Sequence, residues 1–419
     1  MRQMRVRTAV VLGGLLAVLG AGLVVGLGGI GASPFGGTFE ESWVSDTPRD
    51  NEFNHHAIGA GADGDVLVAP VTEQPGGDAE LTETSCSLVR LADDDGETLW
   101  QDGMPPEACF THALTEPAID DIDGDGKREV AVATTEEALV VYDGTDGTEQ
   151  WRVPLSTYGY ARPTIANVTA ADGTEIVASD IGGGVVLAHS NGTVAWRVAL
   201  NETVGERVSV YGSPLVEDFD GDGRPEILVG TTESLVLLSA DGTVEWQRDD
   251  SARYVASART DDGVGIVVAG TATVRSYDGA SGAETWNRSI SNGRVHTVAD
   301  GDGDDTPEVY LGRIESEVVV LDAESGATEW STTVSGEDTI VAAPRLGDVT
   351  GDGRPEVLAA ARTGTVTALD ADSGGEVAVY ERSVPVWTFV TPADIDGDGH
   401  DEVLVRYGDG RVVALEYVS

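Results

Sequence analysis

Apolar residues recur along this chain in short runs, each framed by glycine and aspartate. One stretch shows the full phase. Val130-Ala131-Val132-Ala133 is unbroken and apolar, Ala138–Tyr142 repeats the pattern, and a turn over Asp143–Thr148 leads into Glu149–Val153, where apolar and polar positions alternate around Trp151. Runs this short are too brief for helices and read as strands, the last of them carrying the tryptophan. The order returns at Leu235–Gln247, Val274–Asn287 and Val318–Ser331, and earlier at Leu88–Gln101. The shared phrase, Asp-x-x-Ser/Asp-Gly-x-x-x-Trp, predicts a glycine hairpin turn just ahead of a tryptophan strand.

Four strands per unit, recurring roughly every 40–50 residues, predict the blades of an all-β propeller. The closing tryptophans are Trp43, Trp100, Trp151, Trp196, Trp246, Trp286 and Trp330, each placed to pack into the next blade. The unit at 374–383 lacks one, with Val377 or Tyr380 nearby, and Trp387 is out of phase. Counting strands and loops gives eight blades, or seven if the first, cysteine-containing unit is an insertion. The last unit, 387–419, supplies three strands, so the N-terminal segment 37–46 is expected to close the ring against it, removing free sheet edges. The connection 73–85 reads as a surface loop.

Ahead of several blades stands a second motif, D-x-D-G-D-G-x-x-E, running into an apolar strand. Asp121, Asp123, Asp125 and Glu129 form one copy, Asp218, Asp220, Asp222 and Glu226 another, and Asp394, Asp396, Asp398 and Glu402 a third. Alternate carboxylates on a tight loop can converge, glycine permits the turn, and the carbonyl of Lys127, Arg224 or His400 can add a further oxygen. Such an all-protein oxygen cage suits calcium better than magnesium. Two copies depart from the pattern. Asp300, Asp302, Asp304 and Glu308 keep the ligands around the Thr306 carbonyl position, but Asp305 replaces the glycine. Asp348, Asp352 and Glu356 surround Arg354, but Thr350 takes the second ligand position. Asn167–Glu175 keeps the frame with Thr169 and Ala171 at ligand positions, Ser257–Gly265 has lost it, and the first unit (57–70) is too short for it, so no calcium is expected at these three.

Charge narrows the setting. The net charge is -48, with 73 acidic against 25 basic residues, and Lys127 is the only lysine. A nucleic-acid binder needs the opposite sign, and a 41% apolar, patterned chain is not disordered. Such a surface is best tolerated at high salt, which points to a halophilic, archaeal source. Arg2, Arg5 and Arg7 precede an uncharged apolar stretch to Ala32. It is long enough to span a bilayer, has Ile30 where a signal cleavage site needs a small residue, and lacks a twin-arginine pair. The expected layout is a cytoplasmic tail (1–8), a transmembrane anchor favoured over a cleaved signal (9–32), a linker (33–36) and an extracellular propeller (37–419) on a single-pass cell-membrane protein. Asn167, Asn191, Asn201 and Asn287 begin N-x-S/T sequons, in keeping with that location. Cys86 and Cys109 are the only cysteines, either a disulfide or two buried thiols, and no CxxCH haem site occurs.

The acidic loops resemble the FG-GAP or VCBS repeats of integrin-alpha-type propellers, and the tryptophan phrase resembles the PQQ-like repeat of eight-bladed quinoproteins. The first resemblance implies calcium at the loop positions named above. The second implies tryptophan docking between blades, without the quinone. Together they cover about residues 37–419. The expected function is a membrane-anchored, calcium-braced propeller binding an envelope protein or glycan, as in adhesion. The alternatives are an extracellular polysaccharide-active or quinoprotein-like enzyme, using His55, His56 or His112 with Arg162, and an envelope assembly scaffold.

Overall fold

The computed structural model describes residues 36–47, 56–73, 85–110, 112–169, 173–205, 208–260, 263–336 and 338–419. The anchor expected at 9–32, His55 and most of the 73–85 connection lie outside these. Among the described residues no helix is long and apolar enough to cross a membrane.

Eight four-stranded antiparallel sheets follow one another along the chain, settling the blade number at eight, with the cysteine-containing unit as blade 1. We label the strands of each blade a to d from the axis outward. Blade 2 is typical: Ala118–Asp120, Glu129–Thr134, Ala138–Asp143 and Glu149–Pro154. The a strands neighbour one another around the axis, and that of blade 8 (Thr391–Ala393) meets that of blade 1 (Gly59–Ala60). The ring is closed by Thr38–Val44, which pairs antiparallel with Val412–Val418 and so forms strand d of blade 8.

The unbroken apolar runs have a simple cause. Strands b and c are buried on both sides because successive side chains face opposite neighbouring blades. In blade 3, Val177, Val185 and Leu187 pack toward blade 4, while Ile176, Ala178, Val186 and Ala188 pack toward blade 2. Each of the eight junctions holds its own apolar cluster. Strand d is the exception, with one face in solvent.

Every c–d pair carries a bulge at one register, and in seven blades a tryptophan follows it. The extra residue turns the indole toward the next blade. Its Nε1–H donates to a carbonyl of that blade's c–d turn: Trp151 to Ser190 at 2.8 Å, Trp196 to Ala240 at 2.9 Å, Trp286 to Ala323 at 2.8 Å. The ring lies on the turn glycine. A Cβ on Gly192 would stand 2.8 Å from Trp151, and one on Gly242 2.9 Å from Trp196, and both glycines have positive φ. The sequence phrase is therefore one lock written in two halves, a glycine that receives the preceding blade's indole and a tryptophan that enters the following turn.

Blade 7 lacks the tryptophan, and the register puts Ala378 there, opposite Ala368, rather than Val377 or Tyr380. The reason lies in blade 8. Its c and d strands come from opposite ends of the described chain, so no tight c–d turn exists to receive an indole. Contacts of another kind fill that junction. Tyr380 Oη donates to Glu41, Arg382 pairs with Asp409 at 2.8 Å, and the Arg382 guanidinium sits 4.7 Å from the centroid of the Tyr407 ring. Cys86 and Cys109 form a disulfide that ties strand c of blade 1 to the segment leading into blade 2.

Trp286→Ala is expected to cost about 3–5 kcal/mol as a large buried-to-small change, and Gly326→Ala to destabilise through the same lock. Ala378→Trp is expected to bring no gain. Urea unfolding midpoints of the three variants check this, and stabilisation by Ala378→Trp would contradict the account of the eighth junction.

Candidate functional site

The a–b loops share one backbone plan. In the loop of blade 2 the amides of Gly124 and Gly126 donate to the two oxygens of Asp121 at 2.8 and 3.0 Å, and those of Asp125 and Lys127 donate to Asp123 and Asp125 at 3.1 and 2.9 Å. The loops at Asp218 and Asp394 repeat the set, with Arg224 and His400 donating as Lys127 does. Thr306 and Arg354 likewise donate to Asp304 and Asp352. The side chains are thus aimed by their own loop before any ligand arrives. Asp305, the departure from the glycine pattern, adopts the glycine's conformation, with φ of 72° against 86° at Gly126 and Gly223. Its amide donates to Asp300 at 3.0 Å, as that of Gly126 does to Asp121. Aspartate is among the few residues that enter this region readily.

At the end of each loop a buried glutamate acts first as a bolt. One oxygen accepts the amide seven residues upstream: Ile122 to Glu129, Val168 to Glu175, Phe219 to Glu226, Gly301 to Glu308, Val349 to Glu356 and Ile395 to Glu402, all between 2.8 and 3.0 Å. What differs is the other oxygen. In blade 3 it accepts the hydroxyl of Thr169, and in blade 7 that of Thr350 at 3.1 Å. In blade 6, Glu308 Oε1 is buried with no hydrogen-bond partner.

Carboxylates converge within 4.8 Å in four loops, as Asp121, Asp123 and Glu129; Asp218, Asp220 and Glu226; Asp300, Asp302, Asp304 and Glu308; and Asp394, Asp396 and Glu402. Asp125, Asp222 and Asp398 belong to their loops but stand outside these tightest groups, and the Asp348–Glu356 loop forms no such group among the described residues. Burial pushes Glu226 up to about 7, reinforced by Asp220, and pushes Glu402 up to about 7, reinforced by Asp396 and Asp398. Burial raises Glu129, Glu308 and Glu356 in the same sense. Glu175 also meets the penalty of burial, but the Thr169 hydroxyl and the Val168 and Thr169 amides outweigh it, and its carboxyl ends below its usual value.

A second region lies on the axis. A cavity of about 580 Å³ is lined by residues from all eight blades, many of them arginine or aromatic. Arg362 stacks 3.6 Å from the centroid of Trp387, Arg345 4.1 Å from Phe389 and Arg253 4.5 Å from Tyr211. Glu116 is shared by Arg162 at 3.7 Å and Arg345 at 3.5 Å. Enclosure lowers Arg345 to about 10, against the pull of Glu116, so it stays charged at neutral pH. Enclosure, then Arg345 and Arg162, hold His296 well below its usual value and therefore neutral. His56 and His112 sit in edge contact with ring centroids 5.3 Å apart, each against Tyr160, so the sequence candidates His56 and Arg162 do reach the channel. Sequence reading offered only those candidates here, missed the other arginines and left Trp387 unexplained. The available signal was an arginine or aromatic residue at or just before successive a strands, as in Tyr160, Tyr211, Arg253 and Arg294.

Thr350→Val is expected to cost about 1–3 kcal/mol by leaving Glu356 without its hydroxyl. Denaturant unfolding of the variant checks this, and a neutral result would remove the threonine from the bolt.

A family profile described as outer membrane protein assembly factor BamB matches residues 85–222 and 270–417. No curated protein sequence matches. Among solved structures, BamB from Moraxella catarrhalis superposes with a TM-score of 0.59 at 16% identity, covering 90% of this chain and 98% of that one. A quinohemoprotein alcohol dehydrogenase from Pseudomonas putida gives 0.60 at 12% identity, covering 90% and 76%. The computationally designed Ika8 protein gives 0.63 at 13% identity, covering 90% and 99%. At these identities the structures establish the fold.

Proposed function

The chain belongs to the family of the outer membrane protein assembly factor BamB, and from that membership we propose that it is a non-catalytic propeller that holds a protein of the cell envelope during assembly. The observation that carries this is the extent of the match, about two thirds of the chain on both sides of the ring. The family description concerns protein assembly, which favours a protein partner over a glycan. The likeness to a dehydrogenase is one of fold, and no catalytic step is derived from it. An N-terminal membrane anchor at 9–32 would keep the propeller beside the membrane, on its outer side.

Calcium is the second part of the proposal. Four loops offer converging carboxylates, and the test of fit is Glu308, whose second oxygen is buried without a donor in a carboxyl group that clusters with Asp300, Asp302 and Asp304. A hard cation there supplies the missing charge, and the loop needs no rearrangement to receive it. In the Thr169 and Thr350 loops a hydroxyl meets the glutamate oxygen, so the proposal centres on the four converging loops rather than on Asp348, Asp352 and Glu356. The ions stabilise the ring by binding only the folded loops, about 2.7 kcal/mol per site at a hundredfold excess over Kd.

Two measurements test the reading. Titration calorimetry of the full chain with calcium, with magnesium as control, is expected to find four equivalents, three in Asp300→Asn/Asp302→Asn, and a raised Tm that chelator reverses. No heat and no shift would leave the loops as solvated turns. Capture from an envelope extract of the native host is expected to retain one defined envelope protein. Failure to retain any would remove the scaffold reading.

A further inference from the structure

We propose that the axial channel is a receptor for an extended acidic segment of the partner protein, held by Arg253, Arg294 and Arg362. This rests on the protein-binding function above and names the chemistry of its ligand.

The first observation is one of supply. Acidic residues outnumber basic ones by 73 to 25, so carboxylate partners for a guanidinium are plentiful in this chain. Eight of the described arginines form ion pairs, among them Arg128 with Asp120, Arg275 with Asp250 and Arg382 with Asp409. Yet among the described residues Arg253, Arg294 and Arg362 form no ion pair. Each instead lies over a ring, 4.5 Å from Tyr211, 5.9 Å from Tyr254 and 3.6 Å from Trp387. Stacking holds a guanidinium flat while leaving its N–H edge free for a carboxylate. In Arg294 the Nη1 is buried and has no hydrogen-bond partner.

The second observation is place. The three arginines come from blades 5, 6 and 7 and converge on the same cavity of about 580 Å³. Their neighbours on that lining include Tyr160, Tyr211 and Phe389, so a bound chain meets charge and apolar surface in alternation. The acidic a–b loops emerge at the opposite ends of the a strands from Tyr160, Tyr211 and Arg253, which precede those strands. A negatively charged segment is therefore repelled from one face and drawn to the other. A peptide fits this better than a compact acid because cationic side chains from several blades line the cavity instead of meeting at one point.

The experiment is calorimetry on the full calcium-loaded chain with a capped hexaglutamate peptide, compared with hexaserine, hexalysine and citrate. Salt is set at about 0.15 M and about 1 M, where charges are screened beyond about 8 and 3 Å. Hexaglutamate is expected to bind despite the net charge of -48, more weakly at the higher salt, while hexaserine does not. Arg253→Gln, Arg294→Gln and Arg362→Gln are each expected to weaken it about tenfold. Tm values of the single variants establish that they fold, and Arg362→Lys, which keeps charge but loses the planar fork, is expected to recover only part of the loss. No binding of hexaglutamate overturns the proposal. So does citrate binding without hexaglutamate binding, or hexaglutamate binding that the folded variants leave unchanged. The envelope capture separates this from the scaffold reading: a partner retained equally by wild type and the triple glutamine variant refutes the channel alone.

Discussion

The indole–glycine lock between blades is the contact on which the ring depends. A propeller blade is a small sheet with two apolar faces, and neither can be left in water. Burial alone would press blades together in many rotations about their contact. The tryptophan removes that freedom by fixing two things at once, a hydrogen bond from Nε1 to a turn carbonyl and a flat ring against a glycine whose Cβ would crowd it. Because the receiving turn and the donating strand belong to the same repeat, each blade is oriented by its predecessor and orients its successor.

The lock also explains where the ring departs from its own rule. Closure by Thr38–Val44 gives blade 8 a fourth strand, but that strand arrives from the other end of the chain and leaves no turn for an indole. Blade 7, which would have docked there, carries Ala378 instead. Missing tryptophan and split blade are one fact seen from two sides. The junction is held by Tyr380, Arg382 and Tyr407, polar and aromatic contacts that do not require a tight turn.

Much of this was legible in the residues. The four-strand unit, the eight blades, the closing strand and the inter-blade direction of the tryptophans follow from periodicity and from the Asp-x-x-Ser/Asp-Gly-x-x-x-Trp phrase, because both record local backbone demands. The acidic loops were legible in spacing, though Asp305 and Thr350 could be weighed only once their conformation was seen. The former preserves the loop by taking a positive φ, and the latter changes its chemistry by donating to Glu356. Beyond His56 and Arg162, the lining of the channel was not legible in advance. Arg253, Arg294 and Arg362 stand in three different repeats, and their convergence is a property of ring closure that no local window contains. Even the disulfide remained one of two alternatives until blade 1 placed Cys86 beside Cys109.

The glutamate bolt has a consequence for how such rings change over generations. Because its first oxygen holds the loop amide in all six loops, the backbone is secured whether a hydroxyl or a neighbouring carboxylate cluster meets the second. A lineage can therefore exchange an aspartate for a threonine in one blade without passing through a collapsed intermediate. Dependence on a dissolved ion becomes a trait adjustable blade by blade, so a ring of unchanged shape can be matched to environments of very different mineral content.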